Sequence, residues 1–263
     1  MYSVEQRHIA SSCAEVYKDA RVYDTGMVTI IEIMGRHAGW LAASAALAGV
    51  VGHPVRLTGA GRTDAGVHAL GQAASVQLPH GLTPGQVMDH LNRYLPEDIA
   101  VTAVEEAPPR FHARLSAAGK VYRYQLRLGP VPDVFRRKYQ YRVEEPLDLT
   151  AMERAAALLT GTHDFRSFCA NRRFKKSTVR TVRSIEFDRR GADLSLTFRG
   201  DGFLYHMVRI MAGTLLEIGQ GKFPPGEITA ILRSEDRERA GKTAPACGLY
   251  LERVFYEQKE AEL

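Results

Sequence analysis

A chain of 263 residues, of which 45% are hydrophobic and 25% charged, has the composition of a globular protein with one large core or two smaller ones. Its net charge of +5 and its pI near 9.1 weakly favour a polyanionic partner. The three cysteines, Cys13, Cys169 and Cys247, are scattered and odd in number, which argues against a disulfide framework and a zinc site and fits the reducing cytoplasm.

The first fifty residues contain three predicted elements. Residues 3–19 have the pattern of a helix, residues 28–33 form an apolar strand that a turn at residues 34–36 ends, and residues 40–50 form an alanine-rich helix. The amino terminus lacks the basic and apolar regions of a secretory signal peptide. A membrane span needs about 20 strongly apolar residues, and because no stretch of the sequence has that pattern we expect no membrane association.

The most distinctive local pattern is GAGRTDAGVHALGQ at residues 59–72. It separates an alternating stretch, residues 54–58, from a second predicted strand, residues 72–78, so Asp64 is expected on a loop at the edge of a sheet. Glycines there permit positive φ and close approach of a partner to the backbone. An aspartate in such a loop most often only closes a turn, whereas loops on rigid scaffolds also carry catalytic groups. The local pattern leaves both interpretations open.

The remainder of the chain alternates predicted helices and strands. The helices are expected over residues 83–95, 149–159, 202–218 and 225–232. The strands are expected over residues 99–104, 120–128, 182–187 and 194–198, the last two as a hairpin. Thr150 and Glu153 have the spacing of a capping box, and Gly161 and Gly219 are the expected helix stops. This pattern predicts an α+β fold with mixed or antiparallel sheets.

Two polar side chains stand out against apolar surroundings. Tyr122 shares one face of its predicted strand with Tyr124 and two leucines, a position more typical of a core residue than of a catalytic one. Arg209 has apolar neighbours on nearly all sides of its helix, and a buried guanidinium without a partner would be strongly destabilising. Residue types alone permit a salt bridge from Arg209 to any nearby carboxylate.

Cations cluster with aromatic residues in three stretches, residues 110–114, 136–142 and 171–177. Such clusters are usually solvated surface. The alternative is contact with nucleic-acid phosphates, which adds affinity but little sequence recognition.

The loop at residues 59–72 resembles the active-site signature of the tRNA pseudouridine synthase A family. The segments YRY at residues 122–124, HMVR at residues 206–209 and TAPACGLYL at residues 243–251 are also similar to that family, and the resemblance runs from about residue 49 to the end of the chain. It implies that Asp64 is the catalytic aspartate, that Arg209 pairs with Asp64, and that Tyr122 stacks on the target uracil.

The same resemblance assigns further contacts. It implies that Arg62 contacts the RNA beside the catalytic residue and that Leu249 lines the uracil pocket. The cations that we expect to contact the tRNA are Arg110, Arg172, Arg173, Lys175 and Lys176.

Residues 1–48 resemble a different family, the phosphofructokinases, in which the Met34, Gly35 and Arg36 positions form a turn that contacts the sugar phosphate. Phosphoryl transfer needs a glycine-rich phosphate loop and carboxylates for Mg²⁺, which the sequence lacks, so we expect no kinase activity. We interpret the segment as a replacement for the start of a synthase, with residues 28–33 in place of its first strand and residues 40–50 in place of its first helix.

The resemblance implies a pseudouridine synthase-like fold of two α/β subdomains, residues 49–130 with the catalytic loop and residues 131–263, around a central basic cleft, and a homodimer. It implies isomerisation of uridine to pseudouridine in the anticodon stem-loop of tRNA, at tRNA positions 38–40, with neither a metal nor an organic cofactor. The alternative hypothesis is a catalytically impaired tRNA-binding protein, because the foreign amino-terminal segment replaces part of the catalytic subdomain.

Overall fold

The computed structural model describes residues 27–36, 39–79, 81–171, 173 and 175–258. The chain divides into two compact units, which we call unit 1, Met1–Ala65 with Ala69–Ser116, and unit 2, Gly66–His68 with Ala117–Leu263. The helix predicted over residues 3–19 lies outside the described residues.

The described part of unit 1 combines a small sheet with two helices. Its elements are β1 Met27–Arg36, α1 Gly39–Val51, β2 Thr58–Gly59, β3 His68–Leu78, α2 Pro84–Tyr94 and β4 Ile99–Ala107. The strand order is β4-β1-β3, with β1 antiparallel to β4 and β2 paired antiparallel with β3. Ala43 and Leu47 of α1, Leu91 of α2 and Ala74 of β3 are wholly buried in its apolar core.

Strand β1 extends further than the sequence predicts. Its pairing with β4 continues through Met34 opposite Ala100 and Gly35 opposite Ile99. The predicted turn at residues 34–36 is therefore wrong, because β4, more than sixty residues later in the chain, supplies the partners that keep this backbone extended. The segment that resembles a phosphofructokinase thus contributes an inner strand to the sheet of unit 1.

Helix α2 begins where the sequence predicts. The Thr83 hydroxyl accepts a hydrogen bond from the Gln86 amide at 3.3 Å, and the Gln86 side chain accepts one from the Thr83 amide at 2.9 Å. This reciprocal pair satisfies two amide donors that the first turn of the helix leaves unpaired. Val87 and Leu91 then turn one apolar face into the core.

Within its described residues, unit 2 contains a larger sheet and three helices. Its elements are β5 Gly119–Leu128, β6 Tyr141–Val143, α3 Leu149–Leu159, β7 Gly161–Asp164, β8 Val179–Arg190, β9 Asp193–Gly200, α4 Met207–Gly219, α5 Glu227–Ser234 and β10 Leu249–Phe255. The strand order is β10-β5-β9-β8-β7; the neighbours pair antiparallel, and β6 alone pairs parallel with β5. The predicted α+β class with a mixed sheet is confirmed.

The core of unit 2 lies between this sheet and the helices. The predicted hairpin is β8–β9, and its residues Leu194, Leu196 and Phe198 are wholly buried. Met152 of α3 and Ile210 of α4 belong to the same apolar cluster. Short 3₁₀ turns at Arg166–Phe168, Arg237–Arg239 and Ala246–Gly248 connect the larger elements.

Helix α3 has the predicted bounds but a different N-cap, and α4 starts later than predicted. The capping box of Thr150 with Glu153 is wrong, since Asp148 is the N-cap of α3 and its carboxylate accepts from the Ala151 amide at 2.9 Å. Helix α4 begins at Met207 rather than at residue 202, because His206 takes a left-handed conformation with φ of 60°. The predicted ends are confirmed: Gly161 follows α3 with φ of 105°, and α4 ends at Gly219.

Among the helices that the structure describes, none is long and apolar enough to span a bilayer.

Candidate active site

The loop that carries Asp64 is held from inside unit 1. After β2, the Ala60 amide donates to the Ala73 carbonyl at 2.7 Å. The buried side-chain amide of Gln72 donates to the Gly61 carbonyl at 3.2 Å and to the Thr63 hydroxyl at 3.1 Å. Arg62 between these two anchors is exposed, and Asp64, directly after them, is half-buried.

The residues that follow Asp64 are anchored in unit 2. Gly66 has φ of 84°, and a Cβ at this position would lie 3.2 Å from the Ala246 Cβ. Val67 is buried in the apolar cluster of unit 2. The chain is therefore fixed within two residues on either side of Asp64, once by Gln72 at Thr63 and once by the packing of Gly66 and Val67.

His68 strengthens the second anchor. Its Nε2 lies 2.9 Å from the Lys138 carbonyl oxygen. Its ring packs against the rings of Tyr139 and Tyr250, with centroids 5.0 and 4.8 Å away. The Tyr250 hydroxyl donates to the Tyr139 carbonyl at 2.6 Å, and burial raises the pKa of Tyr250 to about 12, so this donor keeps its proton at neutral pH.

Tyr122 and Tyr124 sit on the central strand β5 in different environments. Tyr122 is half-buried and packs edge-on against Phe203, with ring centroids 5.3 Å apart. Tyr124 is wholly buried and donates its hydroxyl proton to the Pro245 carbonyl at 2.7 Å. Burial raises the pKa of the Tyr124 phenol far above its usual value. Tyr122 is thus the more accessible ring, while Tyr124 anchors the segment before β10.

Arg209 lies in the first turn of α4, and the same segment orients it. Its Nε donates to the Ala244 carbonyl at 2.8 Å, and the Ala244 amide donates to the Arg209 carbonyl at 3.0 Å. Its side chain is half-buried rather than enclosed as the apolar pattern predicts, although its neighbours Met207 and Val208 are buried.

The charge of Arg209 acts on the buried Tyr124 and the half-buried Cys247. Burial raises the pKa values of the Tyr124 phenol and the Cys247 thiol, and the Arg209 guanidinium offsets part of each rise. The Cys247 thiol donates to the Gln140 carbonyl at 3.5 Å. A thiol with a raised pKa has little thiolate character, so Cys247 has a structural role here and not a reactive one.

Leu249 starts β10 beside these groups. It is buried and pairs in register with Tyr124 of β5. Gly248 before it fits closely, since a Cβ at this position would lie 2.8 Å from the Gln125 carbonyl oxygen and 2.9 Å from the Tyr124 ring. Within unit 2, Tyr124, Arg209, Ala244 and Leu249 therefore form one packed group.

The predicted RNA-contacting cations lie on the surface. Arg110 is exposed in the turn after β4 of unit 1. Arg173, Lys175 and Lys176 are exposed in the loop before β8 of unit 2, and Arg172 lies outside the described residues. Exposure suits phosphate contacts as well as it suits a solvated loop.

The sequence did not indicate several residues that hold this site. Gln72 was not singled out, although it is the last residue of the motif at residues 59–72 and could have been identified from it. The ring contacts of His68 with Tyr139 and Tyr250 join residues far apart in the chain, and no local pattern reveals them.

Comparison with known proteins identifies the class of protein to which the chain is similar. The family model described as tRNA pseudouridine synthase matches residues 155–257, which include α4 and β10. The chain is 46% identical to tRNA pseudouridine synthase A of Bacillus licheniformis over 203 residues. This alignment covers 77% of this chain and 82% of the relative. The chain is 49% identical over 208 residues to tRNA pseudouridine synthase A of Geobacillus kaustophilus, covering 79% of this chain and 81% of the relative. The chain belongs to the tRNA pseudouridine synthase A family.

Proposed function

We propose that this chain isomerises uridine to pseudouridine in tRNA, with Asp64 as the catalytic residue. Its relatives in the family are named tRNA pseudouridine synthase A, and the identity extends over most of both chains. The observation that carries the proposal is the fixation of the Asp64 loop. Gln72 holds Thr63 on one side, and the close packing of Gly66 holds the other. A loop that only closed a turn would not need both constraints.

The proposed reaction rearranges bonds within one nucleotide. The bond between C1′ of the ribose and N1 of the uracil breaks, the base turns, and a bond between C1′ and C5 forms. C5 loses its proton and N1 gains one, so no oxidant or reductant is consumed. Asp64 acts as the nucleophile, either at C1′ or on the base. The target uridine must first leave the base stack, which costs a few kcal/mol.

Arg209 and Tyr122 have supporting roles in this proposal. Arg209 pairs with Asp64 and orients its carboxylate for attack. Tyr122 stacks on the detached uracil and assists the proton transfer from C5. Arg62 contacts the RNA beside Asp64, and Leu249 lines the uracil pocket.

Binding of the tRNA is proposed to depend on backbone contacts. Arg110, Arg172, Arg173, Lys175 and Lys176 contact phosphates along a basic cleft, which adds affinity without reading sequence. The substrate is the anticodon stem-loop, the enzyme acts in the cytoplasm, and it works as a homodimer.

Release of tritium from tRNA labelled at C5 of uridine tests the proposal. The wild-type chain should release tritium, and Asp64→Ala should release none while it still binds tRNA in a filter assay. Binding by the wild-type chain without release would support the alternative of a catalytically impaired tRNA-binding protein. The inner position of β1 in the sheet of unit 1 weighs against that alternative, because the phosphofructokinase-like segment supplies a strand that pairs within this sheet.

A further inference from the structure

Arg237 holds the segment that connects α5 with β10. It lies at the start of the 3₁₀ turn Arg237–Arg239 and is half-buried. Its Nη1 donates to the Ala240 carbonyl at 3.2 Å and to the Gly241 carbonyl at 3.0 Å, and its Nη2 donates to the Thr243 hydroxyl at 3.0 Å. One guanidinium thus fixes three acceptors within four consecutive residues.

This segment lies directly on helix α4, with no free space between them. A Cβ on Gly241 would come within 2.7 Å of the Thr214 Cα, and a Cβ on Gly213 would overlap the Lys242 carbonyl oxygen. The Gly241 amide donates to the Thr214 hydroxyl at 3.0 Å, and that hydroxyl donates to the Ile210 carbonyl at 2.8 Å. Close packing of this kind transmits a displacement instead of absorbing it.

The segment ends at Ala244, the residue that exchanges two hydrogen bonds with Arg209. The position of the Ala244 carbonyl therefore sets the direction of the Arg209 Nε. The direction of the Arg209 side chain matters for the proposed function, because Arg209 is the proposed partner of Asp64.

Resting on that proposed function, we propose that Arg237 is a positioning residue for Arg209: it holds residues 240–244 against α4 so that the Ala244 carbonyl fixes the Arg209 guanidinium. Removing the Arg237 side chain would leave two carbonyls and a hydroxyl without their donor. The segment would then shift and take Arg209 with it. A misplacement of about 1 Å in a catalytic group can lower the rate about 100-fold.

The test is the kinetics of Arg237→Met in the full chain, measured by tritium release over a range of tRNA concentrations that reaches saturation. We expect kcat to fall by about 10- to 100-fold with little change in KM, because the displaced group acts on the chemical step. Arg239→Met is the matched control. Arg239 lies on the same turn and also loses a bonded guanidinium, but its partner is the half-buried carboxylate of Glu227 on α5, at 2.8 Å, and not residues 240–244. Its kcat should stay at the wild-type value.

Two further variants separate positioning from general damage. Thr243→Val removes one of the three acceptors while keeping Arg237, so it should fold even if Arg237→Met does not, and its kcat should also fall. In an Arg209→Lys background, which already lacks the Nε donor, Arg237→Met should cost much less kcat than it does in the wild type, since coupled residues are not additive. The combined loss should therefore be well below the product of the two single losses.

The outcomes distinguish this inference from the proposed function. If the wild-type chain releases no tritium, the proposed function fails. If the wild type is active and Arg237→Met or Thr243→Val keeps the full kcat, the positioning role is wrong and the proposed function stands. Fully multiplicative losses in the double variant would also overturn it, because Arg237 would then act independently of Arg209.

Discussion

A substitution at Gly66 should displace the Asp64 carboxylate while leaving the Asp64 side chain itself unchanged. At φ of 84° an alanine would adopt a left-handed conformation, which costs about 1–2 kcal/mol. Its methyl group would lie 3.2 Å from the Ala246 Cβ, closer than the usual 3.5–4.0 Å separation of carbon atoms. The strained loop has two outcomes: it stays in place and lowers stability, or it moves and carries Asp64, two residues earlier, out of position.

We expect Gly66→Ala to do both in part. A loss of about 1–2 kcal/mol corresponds to a fall in Tm of about 2–8 °C for a unit of this size. A shift of the loop by a few tenths of an ångström to 1 Å should lower kcat by about 10- to 100-fold. The measurements are thermal unfolding and tritium release at saturating tRNA.

Gly191→Ala is the matched control. Gly191, in the β8–β9 turn, has φ of 62°, but a Cβ there would meet no other atom within 4 Å. This variant should lose similar stability and keep its kcat. Adding Ala246→Gly to Gly66→Ala removes the close contact and should restore part of kcat. The reasoning is refuted if Gly66→Ala lowers Tm as Gly191→Ala does and retains the wild-type kcat.

Three other predictions concern the Gln72 bonds, two surface lysines and strand β1. Gln72→Leu should lower kcat about 10-fold, because Gly61 and Thr63 lose their hydrogen-bond donor. The control Gln77→Leu, on the exposed face of the same strand, should keep the wild-type kcat. Equal kcat values for the two variants would contradict the anchoring role of Gln72. Lys175→Ala with Lys176→Ala should weaken tRNA binding and reduce the slope of log K against log salt by about 2 without changing kcat. Lys222→Ala, at another exposed lysine, is the control. An unchanged salt slope for the double variant would show that Lys175 and Lys176 do not contact the RNA. A chain lacking residues 1–38 loses β1, so the amides of β4 should lose their hydrogen-exchange protection; retained protection would show that the segment is dispensable.

Local patterns predicted the elements well where the pattern was strong. The alternation in β5 and in the β8–β9 hairpin is visible in the sequence because each strand has one buried face. The start of α2 at Thr83 was also predicted, and the structure adds a capping box between Thr83 and Gln86. The family of the chain could also be inferred, because the loop around Asp64 matches without interruption.

The predictions that failed have different physical causes. Residues 34–36 look like a turn, but pairing with β4 keeps them extended. Asp148 and Thr150 are both good N-cap residues, and the spacing to Glu153 favoured the wrong one. The left-handed His206 has no sequence signal, since non-glycine residues rarely adopt positive φ.

Asp64→Asn tests the central claim most directly, because it keeps the size and shape of the side chain and removes only its charge. Tritium release from C5-labelled tRNA and tRNA affinity should be measured on the same preparations of the wild type and the variant. The account predicts release by the wild type, no release by the variant above background, and affinities that agree within about threefold. Release by the variant at the wild-type rate would contradict a nucleophilic role for this carboxylate.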